Sequence, residues 1–492
     1  MNTSLRTTAY ALLGAFALLI VSVIYIQAIK GPDFRDDPRN VRAIAWLTGR
    51  QRGPIISADG VVLAISTPSP SDPKLYERLY PEGSLYAHTV GFTSVLFGSR
   101  GVEQTRAADL ISNRDATISG VLNGLLGGDT KPRGVRLTLR DALQTVARDA
   151  LGEQRGSVIA IDPTTGAILA MVTYPSFDPN TLIGPDAGAA GEALERDEDD
   201  PLRDRAIRQT YPPGSVFKVI TAASGLDTGL VSPSSEFADP VYLRLPGSES
   251  TISNYDGMVC DNGTSVTLKF AFVKSCNTVF AMLGMNLGAD TLGGTAEAFG
   301  FNSEVPFEFD VLTSFFPLRG TMQDDPPATA QSAIGQRDDR ATPLLMVLTV
   351  AAVANNGIMM APYLVSEIFT SEGVVEATTE PVAWRRAMSP ASAGVLADMM
   401  EQAVISGTGT RAAVPGVRIA GKTGTAETEG SAPHAWFIGF GPLGAESGDP
   451  QIAIVVIVES GGAFGESATG GTVAAPIAQR VLAAFFGVTD TR

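Results

Sequence analysis

The spacing of apolar and polar positions divides the chain into a few readable stretches. Residues 9–26, AYALLGAFALLIVSVIYI, carry no charge, and a run of that length is just enough to cross a bilayer as a helix. Arg6 precedes it and the polar KGPDFRDDPRN follows it. No small-x-small cleavage site comes after the run, so it predicts an uncleaved signal-anchor rather than a secretory signal. Polar flanks and a place at the N-terminus argue against a buried core helix. From 31 to about 126 the pattern is mixed, with short strand-like runs in GPIIS and GVVLAIS. The glycine-rich GLLGGDTKPRG at 124–134 reads as a hinge or linker. LTLRDALQTVARDAL then predicts an amphipathic helix carrying Leu139, Leu143, Val146 and Leu151 on one side. GSVIAID-PTTG-AILAMVT predicts a β-hairpin. The segment 185–205, acidic and alanine-rich, reads as a mobile solvated loop. After YPPGS comes an almost wholly apolar helix, which must be buried. GVRIAGKTGTAE, HAWFIGFGPL and QIAIVVIVE predict three consecutive strands, and GTVAAPIAQRVLAAFF a closing amphipathic helix. Strands at both ends with helices between predict an α+β domain in which the hairpin and the last three strands share one antiparallel sheet. No internal repeat is evident.

Composition narrows the possible functions. The chain has 492 residues, enough for two or three domains. Its formal net charge of −16 argues against nucleic acid as a partner. The two cysteines, Cys260 and Cys276, can pair outside the cytoplasm or stay as two free buried thiols. With only two histidines, His88 and His434, there is little room for zinc or for a histidine-activated nucleophile. No metal or cofactor is expected.

Of 36 basic residues only 7 are lysine, so a lysine in the middle of YPPGSVFKVITA stands out. Pro212 and Pro213 cannot continue a helix backward and Gly214 permits a tight approach. Ser215 therefore falls at the start of a helix, where unpaired N–H groups and the positive dipole end favour a developing oxyanion. Lys218 lies one turn on, along the same face. A serine hydroxyl needs a base to become a nucleophile. Arginine cannot be that base, whereas lysine can if burial and a second cation lower its pKa. A lone Ser-x-x-Lys is a weak signal: Ser71 and Lys74 repeat it in SDPK, where Pro73 forbids the helix that would align them. Two further elements strengthen it. SCN at 275–277 begins 60 positions downstream of Ser215, and KTGT at 422–425 lies 147 beyond that. On the strand that includes Val417 and Ile419, alternation puts Lys422 on the face opposite those side chains. Gly424 would let a ligand approach the backbone closely.

Ser-x-x-Lys, Ser-x-Asn and Lys-Thr-Gly in this order resemble the signature of penicillin-binding proteins and serine β-lactamases. DRAIRQTYPPGSVFK, SCNTVF, SAIGQ (332–336), GTGTRA (407–412), AGKTGTAE and HAWFIGF resemble class B penicillin-binding proteins. RGPIISADGVVLA (52–64) and YPEGSLYAHTVGF (80–92) resemble that family's pedestal region. The compact, Arg- and Ala-rich character is most similar to the actinobacterial penicillin-binding protein A group. The resemblance implies a membrane anchor with a short cytoplasmic tail at 1–30, a pedestal at 31–130, and a transpeptidase-like domain at 131–492 with a five-stranded antiparallel sheet flanked by helices. It implies Ser215 as acylated nucleophile and Lys218 as its base. Ser275 relays the proton to the leaving amine, Asn277 holds the substrate amide, and Lys422 supplies a cation near Ser275. Thr423 and Thr425, with Gly424 between them, bind the terminal carboxylate, and the N–H groups of Ser215 and Thr425 form the oxyanion hole. Asp204 stands where the family usually has asparagine, and Cys276 where it usually has serine.

The implied reaction is D,D-transpeptidation of peptidoglycan stem peptides, with β-lactams as acylating inhibitors and roles in cell wall synthesis and division. The implied location is the cell membrane, single-pass, with the catalytic domain outside. The implied partners are a glycan polymerase of the SEDS type and other division proteins, since the pedestal leaves no room for a polymerase domain. The alternatives are a D,D-carboxypeptidase, which differs only in using water as acceptor, and a non-enzymatic β-lactam sensor or scaffold.

Overall fold

The computed structural model describes residues 3–26, 30, 49–69, 75–111, 131–317, 320–428, 430–444 and 450–488. The Ser71/Lys74 pair and most of the glycine-rich 124–134 stretch lie outside them.

Helix α1 (Thr3–Ile24) carries no charge after Arg6. Its window Arg6–Val23 is 0% buried, with Leu13, Leu18 and Val21 exposed. At about 1.5 Å rise per residue it is long and apolar enough to cross a bilayer. In chain order there follow β1 (Ile55–Ile56), β2 (Val62–Pro68), β3 (Tyr76–Leu79), β4 (Gly134–Leu137), α2 (Asp141–Leu151), β5 (Gly156–Ile161) and β6 (Ile168–Tyr174). Next come α3 (Ala187–Arg196), α4 (Lys218–Asp227), α5 (Leu268–Lys274), α6 (Asn277–Leu287), α7 (Pro343–Ala354), β7 (Val365–Phe369), β8 (Val375–Thr378) and α8 (Pro390–Ser406). β9 (Ala420–Thr428), β10 (Ser431–Gly441), β11 (Ile452–Val458) and α9 (Ala475–Phe485) close the chain.

Two sheets organise these elements. One is mixed, with order β8-β7-β4-β1-β2-β3. It joins the N-terminal strands to residues far along the chain. The other is the predicted antiparallel sheet, with order β9-β10-β11-β5-β6. Its middle strands are buried on both faces. Alternation along β5 and β11 sends Ile159, Ile161, Val455 and Ile457 into one core and Val158, Ala160, Ile454 and Val456 into the other. The second core is covered by the amphipathic α2 and α9. The first is covered by α7, which is buried along its whole length.

Two expectations need correction. Leu139 is not on α2, because the helix starts at Asp141 after an extended Arg140. Leu139 instead joins the first core while Leu143 and Leu151 join the second. The 185–205 segment is not a solvated loop. Its alanines form α3, as their helix propensity favours, and its end is buried. Arg205 is 1% exposed and pairs with Glu459 (Nε–Oε1 2.9 Å).

Candidate active site

The segment Tyr211-Pro-Pro-Gly enters a short 3₁₀ turn, Gly214–Phe217, before α4 begins at Lys218. Ser215 thus stands in a tight turn just ahead of the α-helix. Three tertiary contacts fix the turn. Trp436 Nε1 donates to Pro212 O (3.0 Å). Gly214 N donates to Gly335 O (2.8 Å). Gly214 has φ +54, and a Cβ there would lie 2.8 Å from Thr425 O. A side chain at Gly335 would come within 2.2 Å of Gly214 O. The glycine of SAIGQ is therefore the backing plate of the nucleophile turn. Asp204, unexplained by the sequence, accepts from Thr173 Oγ1 (2.8 Å) and Ala206 N (3.0 Å), tying β6 to the segment that leads to Ser215.

Lys218 is 0% exposed. Its Nζ donates to Ser275 O and to the Asn277 side-chain oxygen, both at 2.7 Å, and stands 3.4 Å from Ser275 Oγ. Burial first, and the charge of Lys422 second, hold its pKa well below the ordinary lysine value. A neutral amine has two N–H donors and one lone pair. In the neutral form, the two short contacts would use both donors and leave the lone pair to take a proton.

Ser275, Cys276 and Asn277 form the joint between α5 and α6. Ser275 N donates to Phe272 O (3.1 Å) and Cys276 N to Ala271 O (2.9 Å), a Schellman-type helix end. That end puts Ser275 in the left-handed region (φ 63, ψ 40), which non-glycine residues adopt only under constraint. The Asn277 side-chain nitrogen donates to Ser253 O (2.9 Å). Cys276 is 3% exposed and forms a disulfide with Cys260, the pairing the sequence left open.

Lys422 on β9 lies opposite Ile438 of β10, on the face of the first core and away from Ile419, which packs in the second. It is 0% exposed. Its Nζ donates to Ser275 Oγ (2.7 Å) and Thr423 O (2.9 Å), and burial lowers its pKa to about 7. Thr423 and Thr425 point the other way, into the cleft. Thr423 shares a 2.5 Å hydroxyl hydrogen bond with Thr408, and Thr425 Oγ1 accepts from Gly470 N (3.3 Å). A Cβ at Gly424 would meet Val216 (3.0 Å) and Trp436 (3.1 Å), so its missing side chain makes room for protein packing.

Ser215, Ser275, Asn277, Thr423 and Thr425 line one cleft of roughly 1130 Å³, with Lys218 and Lys422 buried beneath its floor. Sequence reasoning gave no role to Thr408, although GTGTRA was legible as a motif, nor to Glu459, which accepts from Tyr211 Oη (2.6 Å). Among the described residues no group of three or more His, Cys, Asp or Glu is placed to hold a metal ion.

The profile of the penicillin binding protein transpeptidase domain matches residues 156–483, and that of the penicillin binding protein A dimerisation domain matches 52–135. Peptidoglycan D,D-transpeptidase PbpA of Mycolicibacterium smegmatis is 41% identical, covering 98% of this chain and 99% of its own. PbpA of Mycobacterium tuberculosis is 38% identical over the same shares. Among solved structures, the ceftriaxone acyl-enzyme of M. tuberculosis penicillin-binding protein A superposes with TM-score 0.82 at 37% identity, covering 90% of this chain and 99% of that one. Its penicillin G acyl-enzyme superposes with TM-score 0.80 at 37% identity, covering 89% and 100%.

Proposed function

The chain belongs to the penicillin-binding protein transpeptidase family, and from that premise we propose that it is a peptidoglycan D,D-transpeptidase acting through a Ser215 acyl-enzyme. The observation that carries the assignment of roles is the pair of buried lysines meeting at Ser275. Lys218 Nζ is held by Ser275 O and the Asn277 side chain, and Lys422 holds the Ser275 hydroxyl.

A stem peptide ending in D-Ala-D-Ala lies along β9, its terminal carboxylate on the hydroxyls of Thr423 and Thr425 and in the field of Lys422, its amide on Asn277. Ser215 Oγ gives its proton to Lys218 and attacks the penultimate carbonyl carbon. The oxyanion is received by the N–H groups of Ser215 and Thr425. When the intermediate collapses, the C–N bond breaks, Ser275 gives its proton to the leaving amine and takes one back from Lys218, so D-alanine departs and an ester remains on Ser215. An amine of a neighbouring stem then attacks that ester and gives a proton to the neutral Lys218, the new peptide bond forms, and that proton returns to the released Ser215 oxygen. A β-lactam follows the first half, but its leaving nitrogen stays tethered and blocks the acceptor.

The helix α1 anchors the protein in the membrane, with the catalytic cleft on the extracytoplasmic side, a reading supported by its unburied apolar surface and by the disulfide beside the site. Glycan polymerisation falls to a separate membrane polymerase of the SEDS type, working with other division proteins. The matched regions support this, since they cover a dimerisation and a transpeptidase domain.

The test is a pentapeptide ending in D-Ala-D-Ala supplied with an amine acceptor. D-alanine and the acceptor-joined peptide should appear in comparable amounts. Release of D-alanine with only the hydrolysed peptide would make the protein a carboxypeptidase, and no release in either form would contradict the reading.

Lys422 carries a separate expectation. Its charge disfavours protonation of Lys218 and attracts the substrate carboxylate. Lys422→Arg keeps both effects and should retain measurable acylation by penicillin. Lys422→Ala should lose most of it and move the acid limb of the pH–rate profile upward, because Lys218 then holds its proton to higher pH. An unmoved limb with weaker binding alone would show that Lys422 binds carboxylate without tuning the base.

A further inference from the structure

The Ser275–Asn277 joint is held from outside as well as by its own helices. Residues 251–262 are attached to it at three points. Ser253 O takes the Asn277 amide (2.9 Å). Asn254, 8% exposed, accepts from both Thr278 N (3.1 Å) and Thr278 Oγ1 (3.2 Å). The third point is covalent, the Cys260–Cys276 disulfide, whose Cα atoms are 5.7 Å apart. The Cys260 end is itself anchored: Asp239 accepts from the N–H groups of Cys260 (2.7 Å), Asp261 (2.8 Å) and Gly263 (2.8 Å). Thr251, Ser253, Asn254 and Tyr255 line the same cleft as Ser215. The disulfide thus joins one wall of the cleft to the middle residue of the triplet that supplies both acceptors of Lys218.

Cys276 is buried while Cys260 is only partly so, beside the exposed Tyr255 and Met258. Cys260 is therefore the side from which a thiol would approach the pair. The left-handed Ser275 backbone persists only while its surroundings over-determine it. Removing one of three outside attachments weakens that constraint at the residue whose carbonyl and hydroxyl contact the two lysines.

We propose that the Cys260–Cys276 disulfide is a redox-responsive positioning element for acylation, fixing the Ser275–Asn277 joint against Lys218 when oxidised and releasing it when reduced. The inference rests on the transpeptidase reading of the site. The step is ordinary thiol–disulfide exchange. A thiolate of a dithiol reductant attacks Cys260 Sγ, the S–S bond breaks, and Cys276 leaves as a thiolate that takes up a proton. The second thiol of the reductant then displaces Cys260, giving two protein thiols and a cyclic disulfide, with two electrons transferred.

The experiment uses the full chain in detergent, oxidised or treated with dithiothreitol, with thiols counted by the mass shift of a maleimide. Acylation by a fluorescent penicillin is followed over a range of concentrations and pH. Reduction should lower the saturating acylation rate on the order of tenfold to a hundredfold, as small displacements of catalytic groups do, with little change in half-saturating concentration. The acid limb should move to higher pH, because a loosened joint admits water to Lys218. Burial is the first cause of that lysine's lowered pKa, and among the described residues Lys422 is the charged group that lowers it further. Reoxidation should restore both quantities. The double variant Cys260→Ser, Cys276→Ser should show the reduced values and ignore dithiothreitol. Two counted thiols with an unchanged rate and limb would overturn the proposal. So would loss of cooperative melting on reduction, which would make the disulfide a staple of the whole domain. Failure of the underlying reading would look different: the oxidised protein itself would not be acylated.

Discussion

Ser215→Ala is expected to abolish the covalent penicillin adduct while leaving the fold intact. The Ser215 hydroxyl makes no hydrogen bond among the described residues and stands at the surface of the cleft. Its removal should change stability by less than about 0.5 kcal/mol. Its chemistry has no substitute nearby. Ser275, the cleft serine whose hydroxyl contacts a lysine, has that hydroxyl held by Lys422 at 2.7 Å and its backbone fixed in a left-handed turn. Unchanged thermal melting with no adduct is the predicted pair of results. A persistent adduct in Ser215→Ala would move the nucleophile elsewhere.

Lys218→Arg is expected to cost nearly as much. A nucleophile and its base act as one unit, and losing either costs on the order of 10⁴-fold to 10⁶-fold in rate. Arginine could donate to Ser275 O and Asn277, but it stays charged and cannot take a proton. Because Lys218 is 0% exposed, a permanent cation there also carries a desolvation penalty, and the variant should melt lower than the parent. Lys218→Met separates the two effects. An apolar side chain of similar length suits the buried site, so this variant should melt near the parent temperature and still fail to acylate. Near-normal acylation by either variant, measured with fluorescent penicillin, would remove Lys218 from the role of base.

The parts of this account that were legible in the sequence are those that one segment writes by itself. The short apolar runs GSVIAI and IAIVVIV announce strands, PTTG announces the turn between β5 and β6, and the unbroken run before Ile24 announces a span. The order of Ser-x-x-Lys, Ser-x-Asn and Lys-Thr-Gly named the residues that line or underlie the cleft. What escaped depends on contacts between distant segments. Gly335 matters only because Gly214 packs on it, and Gly424 only because Val216 and Trp436 lie against it. Composition misled at 187–196, where acidic neighbours suggested a solvated loop although the alanines favour a helix. The mixed sheet pairs residues 55–56 with 135–136, across a division that a linear reading places near 130. The disulfide was a choice between two equal readings until the fold brought Cys260 to Cys276.

The central claim, that Ser215 is the acylated residue, is tested most directly by mapping the adduct. Protein treated with penicillin G, digested with trypsin and analysed by mass spectrometry should carry one added penicillin mass. The account places it on the peptide Gln209–Lys218, whose one serine is Ser215. An adduct on the peptide that begins at Ser275, or on one containing Ser71, would contradict it.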